Sequence, residues 1–342
     1  MKKCLTIGVL LLTITTLSCG TFESVEQPHK QVKVLILDGQ NNHYVWPKST
    51  QMMKHYLQQT GMFAVDIYRY KHLWHIAGYE DYIEQNPLQD DEQYLVFDQP
   101  VQDLDFKPNF EQYDVVISNL GWRASSWPKD TQTAFEEYMR NGGGLVVIHA
   151  ANNAFPEWLE FNKMIGLGGW GGRDQKDGPY VYFDQNGTLI RDDSAGAGGK
   201  HGPAHEFTVN IRDLTHPITQ GLPASWAHTK DELYEKLRGP AEHMTVLASA
   251  ESALNVADYQ RHEPVLMVVN YHKGRVFHST LGHDTQAFEG VGFITTFLRG
   301  TEWAATGHVT LPIPKDFPTA TVANSRTYHP SIPRVFGFFT RY

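Results

Sequence analysis

Gly142-Gly143-Gly144-Leu145-Val146-Val147-Ile148-His149 is the stretch that sets the architecture. Three glycines stop the segment before them, four apolar residues come next, and a histidine closes the run. A short run that is apolar on every residue is what a parallel strand covered on both faces looks like. Just upstream, residues 129–141 place Phe135, Tyr138 and Met139 on one helical face, which the glycines end. Helix, tight turn and buried strand in succession form the repeating unit of an α/β sheet.

The alternation continues in both directions. Residues 32–38 predict a strand before Gly39. Residues 47–60 predict a helix, with Pro47 at its start, Met52, Met53, Tyr56 and Leu57 on its apolar side and Gly61 at its stop. Residues 63–68 and 113–118 predict two more strands. Downstream, 206–211, 244–248, 265–269 and 275–279 predict strands, the last two joined by a turn at Lys273-Gly274, and 285–299 predicts a helix. The expected fold is α/β: a doubly wound, mostly parallel sheet with helices on both faces. Residues 72–110, aromatic and acidic, read as an insertion near the sheet edge, and 310–342 as a C-terminal extension wrapped over the surface. Two glycine clusters, 166–172 and 196–199, do not lead from strand to helix at phosphate-loop spacing, so no nucleotide cofactor is expected. Glycine-rich loops of that length in a compact domain are usually functional or mobile.

Composition narrows the chemistry. The 342 residues carry 29 Lys+Arg against 38 Asp+Glu, a formal charge of −9, with no basic run. Nucleic acid is therefore not an expected partner, because neutralising phosphates takes clustered cations. The only cysteines are Cys4 and Cys19, which leaves no thiolate nucleophile and no cysteine metal site in the folded body. All 17 histidines lie beyond residue 28. With abundant Trp and Tyr, they suggest a His/carboxylate metal site or a carbohydrate surface, although most of them read as ordinary surface groups. No Gly-x-Ser-x-Gly elbow and no His-Glu-x-x-His helix is present.

Lys2 and Lys3, the apolar run from Leu5 to Leu17 and the small residue before Cys19 read as a secretory signal peptide over residues 1–18. Leu17-Ser18-Cys19-Gly20 looks like a bacterial lipobox, with Thr16 where leucine is usual. Residues 19–31 are then a lipidated polar tether, and the expected location is the bacterial cell envelope, with membrane contact only through Cys19.

In doubly wound sheets ligands gather outside the carboxyl ends of the strands. The predicted strands lead into Asn41-Asn42-His43-Tyr44-Val45-Trp46, then Asn119-Leu120-Gly121-Trp122-Arg123, then His149, and finally Gly282-His283-Asp284. Two further clusters stand out: His205-Glu206, and His228-Thr229-Lys230-Asp231-Glu232-Leu233-Tyr234. On a strand, Asp231 and Glu232 face opposite ways, so one alone can enter a site.

The stretches DGQNNHYVW (38–46), GGGLVVIHAANNAFPEW (142–158), MIGLGGWGGR (164–173), HEFTVNIRDLTHPITQGLP (205–223), HTKDELYEKLRGPAEHMTVLASA (228–250) and EPVLMVVNYHKGRVFHSTLGHD (263–284) resemble the ThuA-like (trehalose-utilisation) family. That family is a branch of the class I glutamine amidotransferase-like, flavodoxin-type fold, and the resemblance implies one such domain over 32–309. Amidotransferases carry a cysteine on the turn where this sequence has His149, so amidotransferase chemistry is not expected. An imidazole there can serve as a base or bind a metal.

The resemblance also implies a sugar substrate: (3-keto-)glycosides or disaccharides, cleaved by elimination or hydrolysis, or isomerised. A divalent cation would act as Lewis acid. His43, His149, His205 and His283 are the expected ligands, suiting Zn, Ni, Mn or Fe. His149, Asp231 and Glu232 are the expected catalytic groups. Asn42, Trp46, Trp122, Arg173, His228 and Tyr234 are expected to hold the sugar. The alternative is a surface lipoprotein that binds sugar without catalysis.

Overall fold

Val32–Gln40 forms the first strand, β1, which has a parallel neighbour on each side in the sheet. The computed structural model describes Met1 and residues 31–74, 94–252 and 261–329. The segment read as a signal peptide, Cys19, nearly all of the expected tether, residues 75–93 of the expected insertion and the chain beyond 329 lie outside the described residues. Among the described residues no helix is long and apolar enough to cross a membrane.

The helices are α1 (Trp46–Gln59), α2 (Lys129–Arg140), α3 (Leu159–Ile165), α4 (Thr285–Glu289) and α5 (Val291–Thr306). After β1, the strands are β2 (Phe63–Trp74), β3 (Leu95–Phe97), β4 (Val115–Ser118), β5 (Gly144–Ile148), β6 (Tyr180–Phe183), β7 (Leu189–Asp192) and β8 (Lys200–His201). They continue with β9 (His205–Ile211), β10 (Ser225–Asp231), β11 (Tyr234–Glu235), β12 (Met244–Glu251), β13 (His262–Tyr271) and β14 (Gly274–Ser279). The sheet runs β10-β9-β12-β13-β14-β5-β4-β1-β2-β3. From β14 to β3 every pairing is parallel, and this is the central block that carries the strand-end loops. From β10 to β14 the pairings are antiparallel and form a wing. β6 and β7 hang from β13, and β8 pairs with β11 as a separate two-stranded ribbon.

Alternate residues of the central strands feed two cores. Val34, Ile36, Val146 and Ile148 pack with Met53 and Leu57 of α1 and with Phe293 and Phe297 of α5. Leu35, Leu37, Leu145 and Val147 pack on the other face with Phe135 and Met139 of α2 and Phe161 and Ile165 of α3. Both faces are covered, which is why these strands are apolar throughout. α5 lies so close to β14 that a Cβ on Gly300 would run into the Phe277 ring.

The one helix expected over 285–299 is two. Asp284 caps α4 through Gln286 and Ala287, and Gly290 then leaves helical geometry, which lets it pair with Ser325. The polar segment 225–231 is a full strand, β10, although its sequence carries no apolar alternation. The described part of the C-terminal extension is fastened by Arg299. Its guanidinium donates to the carbonyls of Pro217, Ile218, Gln220 and Leu311. Glu302 accepts from the backbone N–H of Thr310 and Leu311.

Candidate functional site

The carboxyl ends of β1, β5 and β14 deliver His43, His149 and His283 to one place, and the end of β10 adds Glu232. One donor atom from each of the four lies within 4.8 Å of the others. The ring centroid of His43 lies 5.0 Å from that of His149 and 4.8 Å from that of His283. Glu232 Oε2 is 3.2 Å from His283 Nδ1 and 4.0 Å from His149 Nε2. Its other oxygen, Oε1, lies 3.4 Å from Nδ1 of the exposed His201.

Each side chain is aimed by its local backbone. His149 follows β5 directly and takes a left-handed φ of 44°, a strained conformation for a non-glycine residue. Its Nδ1 donates to the Thr280 carbonyl at 2.6 Å, which leaves Nε2 buried without a partner. Asn41 Oδ1 accepts from the His43 N–H at 2.8 Å and faces His43 Nδ1 at 3.3 Å. Asp231 ends β10 fully buried. Its carboxylate accepts from the N–H groups of Glu232, Gly282 and His283 and meets His228 Nε2 at 2.9 Å. One buried anion thus ties the end of β10 to the loop after β14, and the next residue, Glu232, turns toward the imidazoles.

The electrostatics favour neutral rings. Burial, then the neighbouring His283 and His201, pushes the His43 imidazole down to about 3. Burial, then His43 and His283, holds His149 well below its ordinary value. Burial raises the Glu232 carboxyl, against the pull of His283 and His201. Lone pairs on His43 and His149 are therefore free at neutral pH, the buried His149 Nε2 has no hydrogen-bond partner, and the buried His283 Nδ1 faces only Glu232 Oε2. Buried polar atoms are normally paired. Three imidazoles and a carboxylate, with orphaned nitrogens among them, fit a divalent transition-metal ion. Among the described residues no other group of His, Cys, Asp and Glu has such an arrangement.

A model of the ThuA family, described as trehalose utilisation, matches residues 33–304. The chain belongs to the ThuA family. A solved ThuA-like protein from Parabacteroides merdae is 40% identical, over 87% of this chain and 98% of that one, with a TM-score of 0.75. A ThuA-like protein from Bacteroides uniformis is 19% identical, over 81% of this chain and 94% of that one, with a TM-score of 0.49. No curated protein matches. The ThuA relationship and the sheet topology agree on a flavodoxin-like α/β fold of the class I glutamine amidotransferase type.

Within this ThuA fold several expected site residues take other places. His205 starts β9, places Nδ1 3.0 Å from the Pro203 carbonyl and lies beside Phe207, so it is outside the cluster; Glu232 takes the fourth position. Trp46 is buried at the head of α1 beneath the Arg69 guanidinium and presents no face to a sugar. Arg173 is buried and donates to Asn162 Oδ1 and the carbonyls of Asn153, Ala154 and Gly169. It pins the first glycine-rich loop and has no N–H left for a ligand. His228 is enclosed, with Nε2 on Asp231 and Nδ1 without a hydrogen-bond partner, and Asp231 is wholly engaged by His228 and three backbone N–H groups. Tyr234 is buried, with its ring 4.1 Å from His149 and its hydroxyl beside Asn153.

Asn42, which precedes His43 in the chain, and Trp122 are half-buried, with Asn42 Oδ1 accepting from the Trp122 N–H. His201, Asn41 and Trp170 were not among the residues expected at the site. His201 sits on the two-residue strand β8, opposite Tyr234, and a two-residue pairing leaves no periodic signal. Trp170, half-buried at a φ of 53°, lies 4.7 Å from Tyr234 and is seated against Gly199. The two glycine clusters thus meet each other, and a side chain on Gly199 would collide with the Trp170 ring at 2.7 Å.

Proposed function

We propose that the protein is a carbohydrate-active enzyme acting on 3-keto-glycosides or disaccharides, by elimination, hydrolysis or isomerisation at a metal-assisted His/carboxylate centre. The observation that carries the reading is the buried, unpartnered Nε2 of His149 within the His43/His149/His283/Glu232 cluster. The sugar class is supported by the family's description, trehalose utilisation.

A ketone at C3 of a sugar acidifies the hydrogen on C2. Removing that proton lets the electron pair form a C1–C2 double bond while the C1–oxygen bond breaks, and the leaving oxygen takes up a proton. Addition of water completes hydrolysis, whereas reprotonation of the enediol gives an isomer. A divalent cation held by His43, His149, His283 and Glu232 would supply Lewis acidity toward the ketone oxygen, worth several kcal/mol. Glu232 Oε1, the oxygen on the His201 side of the carboxylate, would take the C2 proton. His201, exposed beside it, links that oxygen to solvent. Asp231 keeps Glu232 and His283 in register through their backbone N–H groups. Asn42, Trp122 and Trp170, all half-buried, would supply hydroxyl contacts and ring stacking. On this reading the chain works at the bacterial cell envelope, held through a lipid on Cys19.

The test is elemental analysis of the purified protein together with product analysis on a 3-keto-glucoside. The reading expects bound divalent metal and turnover that chelator abolishes and added metal restores. Saturable sugar binding without any product would instead establish the non-catalytic binder. Turnover unchanged in metal-free protein would remove the cation from the mechanism.

A further inference from the structure

The orientation of the three rings carries a more specific claim, which rests on the metal reading above. Each imidazole has two nitrogens, and the hydrogen bond at one decides which remains available at the other. For His149 the choice is made by the Thr280 carbonyl, an acceptor only, so Nδ1 carries the hydrogen and Nε2 the lone pair. For His43 it is made by Asn41. The Asn41 amide nitrogen donates to the carbonyls of Asn119 and Leu120, each at 3.2 Å, which fixes which end of the amide is oxygen. That oxygen then faces both the backbone N–H and Nδ1 of His43. His283 differs: its Nδ1 is the nitrogen turned toward Glu232, buried and without a hydrogen-bond partner.

We propose that two of the three rings are preset before any ion arrives, offering His43 Nε2 and His149 Nε2 beside Glu232 Oε2, with Asn41 as the residue that sets the His43 tautomer. Asn41 touches no substrate and is a positioning residue. It transmits the geometry of the β4 loop, through two carbonyls, to a ligand supplied by the β1 loop.

Three measurements test this. In metal-free wild-type protein, long-range nitrogen–proton NMR of the histidine rings is expected to show hydrogen on Nδ1 of His43 and of His149. Hydrogen on Nε2 of His43 would overturn the proposal even if metal binds. Next, cobalt(II) affinity is measured by chelator competition, with the visible spectrum as a second readout. Asn41→Ala is expected to weaken binding by about 10–100-fold and to alter the spectrum, the usual size of effect for a group behind a ligand. The control is Asn119→Ala, which removes side-chain hydrogen bonds from the β4 loop to Trp46, Ser49 and Thr50 in the first turns of α1 without touching His43. It is expected to lower stability and leave cobalt affinity and spectrum unchanged. Equal affinity and spectra for Asn41→Ala and wild type would overturn the positioning role. Wild-type protein that takes up no cobalt would sink the metal reading itself, a result distinct from either of these. If Asn41→Ala does not fold, the tautomer measurement on wild-type protein still decides.

Discussion

Arg173 and His149 are both buried, nitrogen-bearing side chains in loops of this molecule, and they do opposite things. Arg173, after the first glycine cluster, spends every guanidinium N–H on a carbonyl or on Asn162. His149, after β5, spends one nitrogen on Thr280 and leaves the other without a partner in a dry place. A satisfied buried polar group holds structure together, and an unsatisfied one costs stability unless something else completes it. By residue type both were candidates for binding a ligand; hydrogen-bond satisfaction separates them.

The contrast can be broken most forcefully at Arg173. Replacing it by Met strands the carbonyls of Asn153, Ala154 and Gly169, and a loss of about 1–3 kcal/mol is expected for each buried acceptor left unsatisfied. Urea denaturation measures it, and a loss of a few tenths would show that the guanidinium is not the clamp. Burial pushes Arg173 down to about 10, so it is still charged at neutral pH and the loss applies there.

Next in size is the close approach of α5 to β14. Gly300→Ala places a methyl group into the Phe277 ring and should cost about 1–3 kcal/mol through overpacking. A neutral result would mean the helix shifts freely on the sheet, and the registry of the loop after β14 would then need another support.

His278 supplies an internal comparison, a buried imidazole with both nitrogens engaged by Ile165 and Asn152. Burial pushes it down to about 4, with the Ile165 carbonyl opposing. The unfolded chain takes up this proton near pH 6.5 and the folded one only near 4. Stability is therefore lost as pH falls through that window, by about 1.4 kcal/mol per unit for this one group. The difference in pH slope between wild type and His278→Gln checks it; parallel profiles would contradict the assignment.

The smallest stability effect should accompany the largest functional one. Asn tolerates a left-handed backbone and can copy the Nδ1–H donor, so His149→Asn removes little but Nε2. Thermal unfolding of metal-free protein should change by no more than about 1 kcal/mol, while metal uptake and turnover disappear. A variant that unfolds instead would place His149 with Arg173 rather than opposite it.

The central strands were legible because burial on both faces leaves only apolar residues to choose from, as in residues 145–148. Their carboxyl ends pointed to His43, His149 and His283 through topology alone. β10 and the β8–β11 ribbon were not legible. Their residues answer to hydrogen bonds from one neighbouring strand rather than to an apolar face. The parity of a strand separates Asp231 from Glu232, but knowing which of them faces the rings requires knowing where β10 stops. His205 was misplaced for a related reason: a histidine beside a strand start carries no mark of where its ring turns, and the Pro203 carbonyl decides that locally.

The spacing of the four clustered residues along the chain has a consequence for biogenesis. His43 comes from the first strand, Glu232 from an edge of the antiparallel wing, and His283 from the end of the last strand. No fragment shorter than nearly the whole domain contains them all. An ion therefore cannot nucleate this fold as it does a small zinc module. It would act as an inspector at the end of the line, captured only by molecules whose sheet is complete.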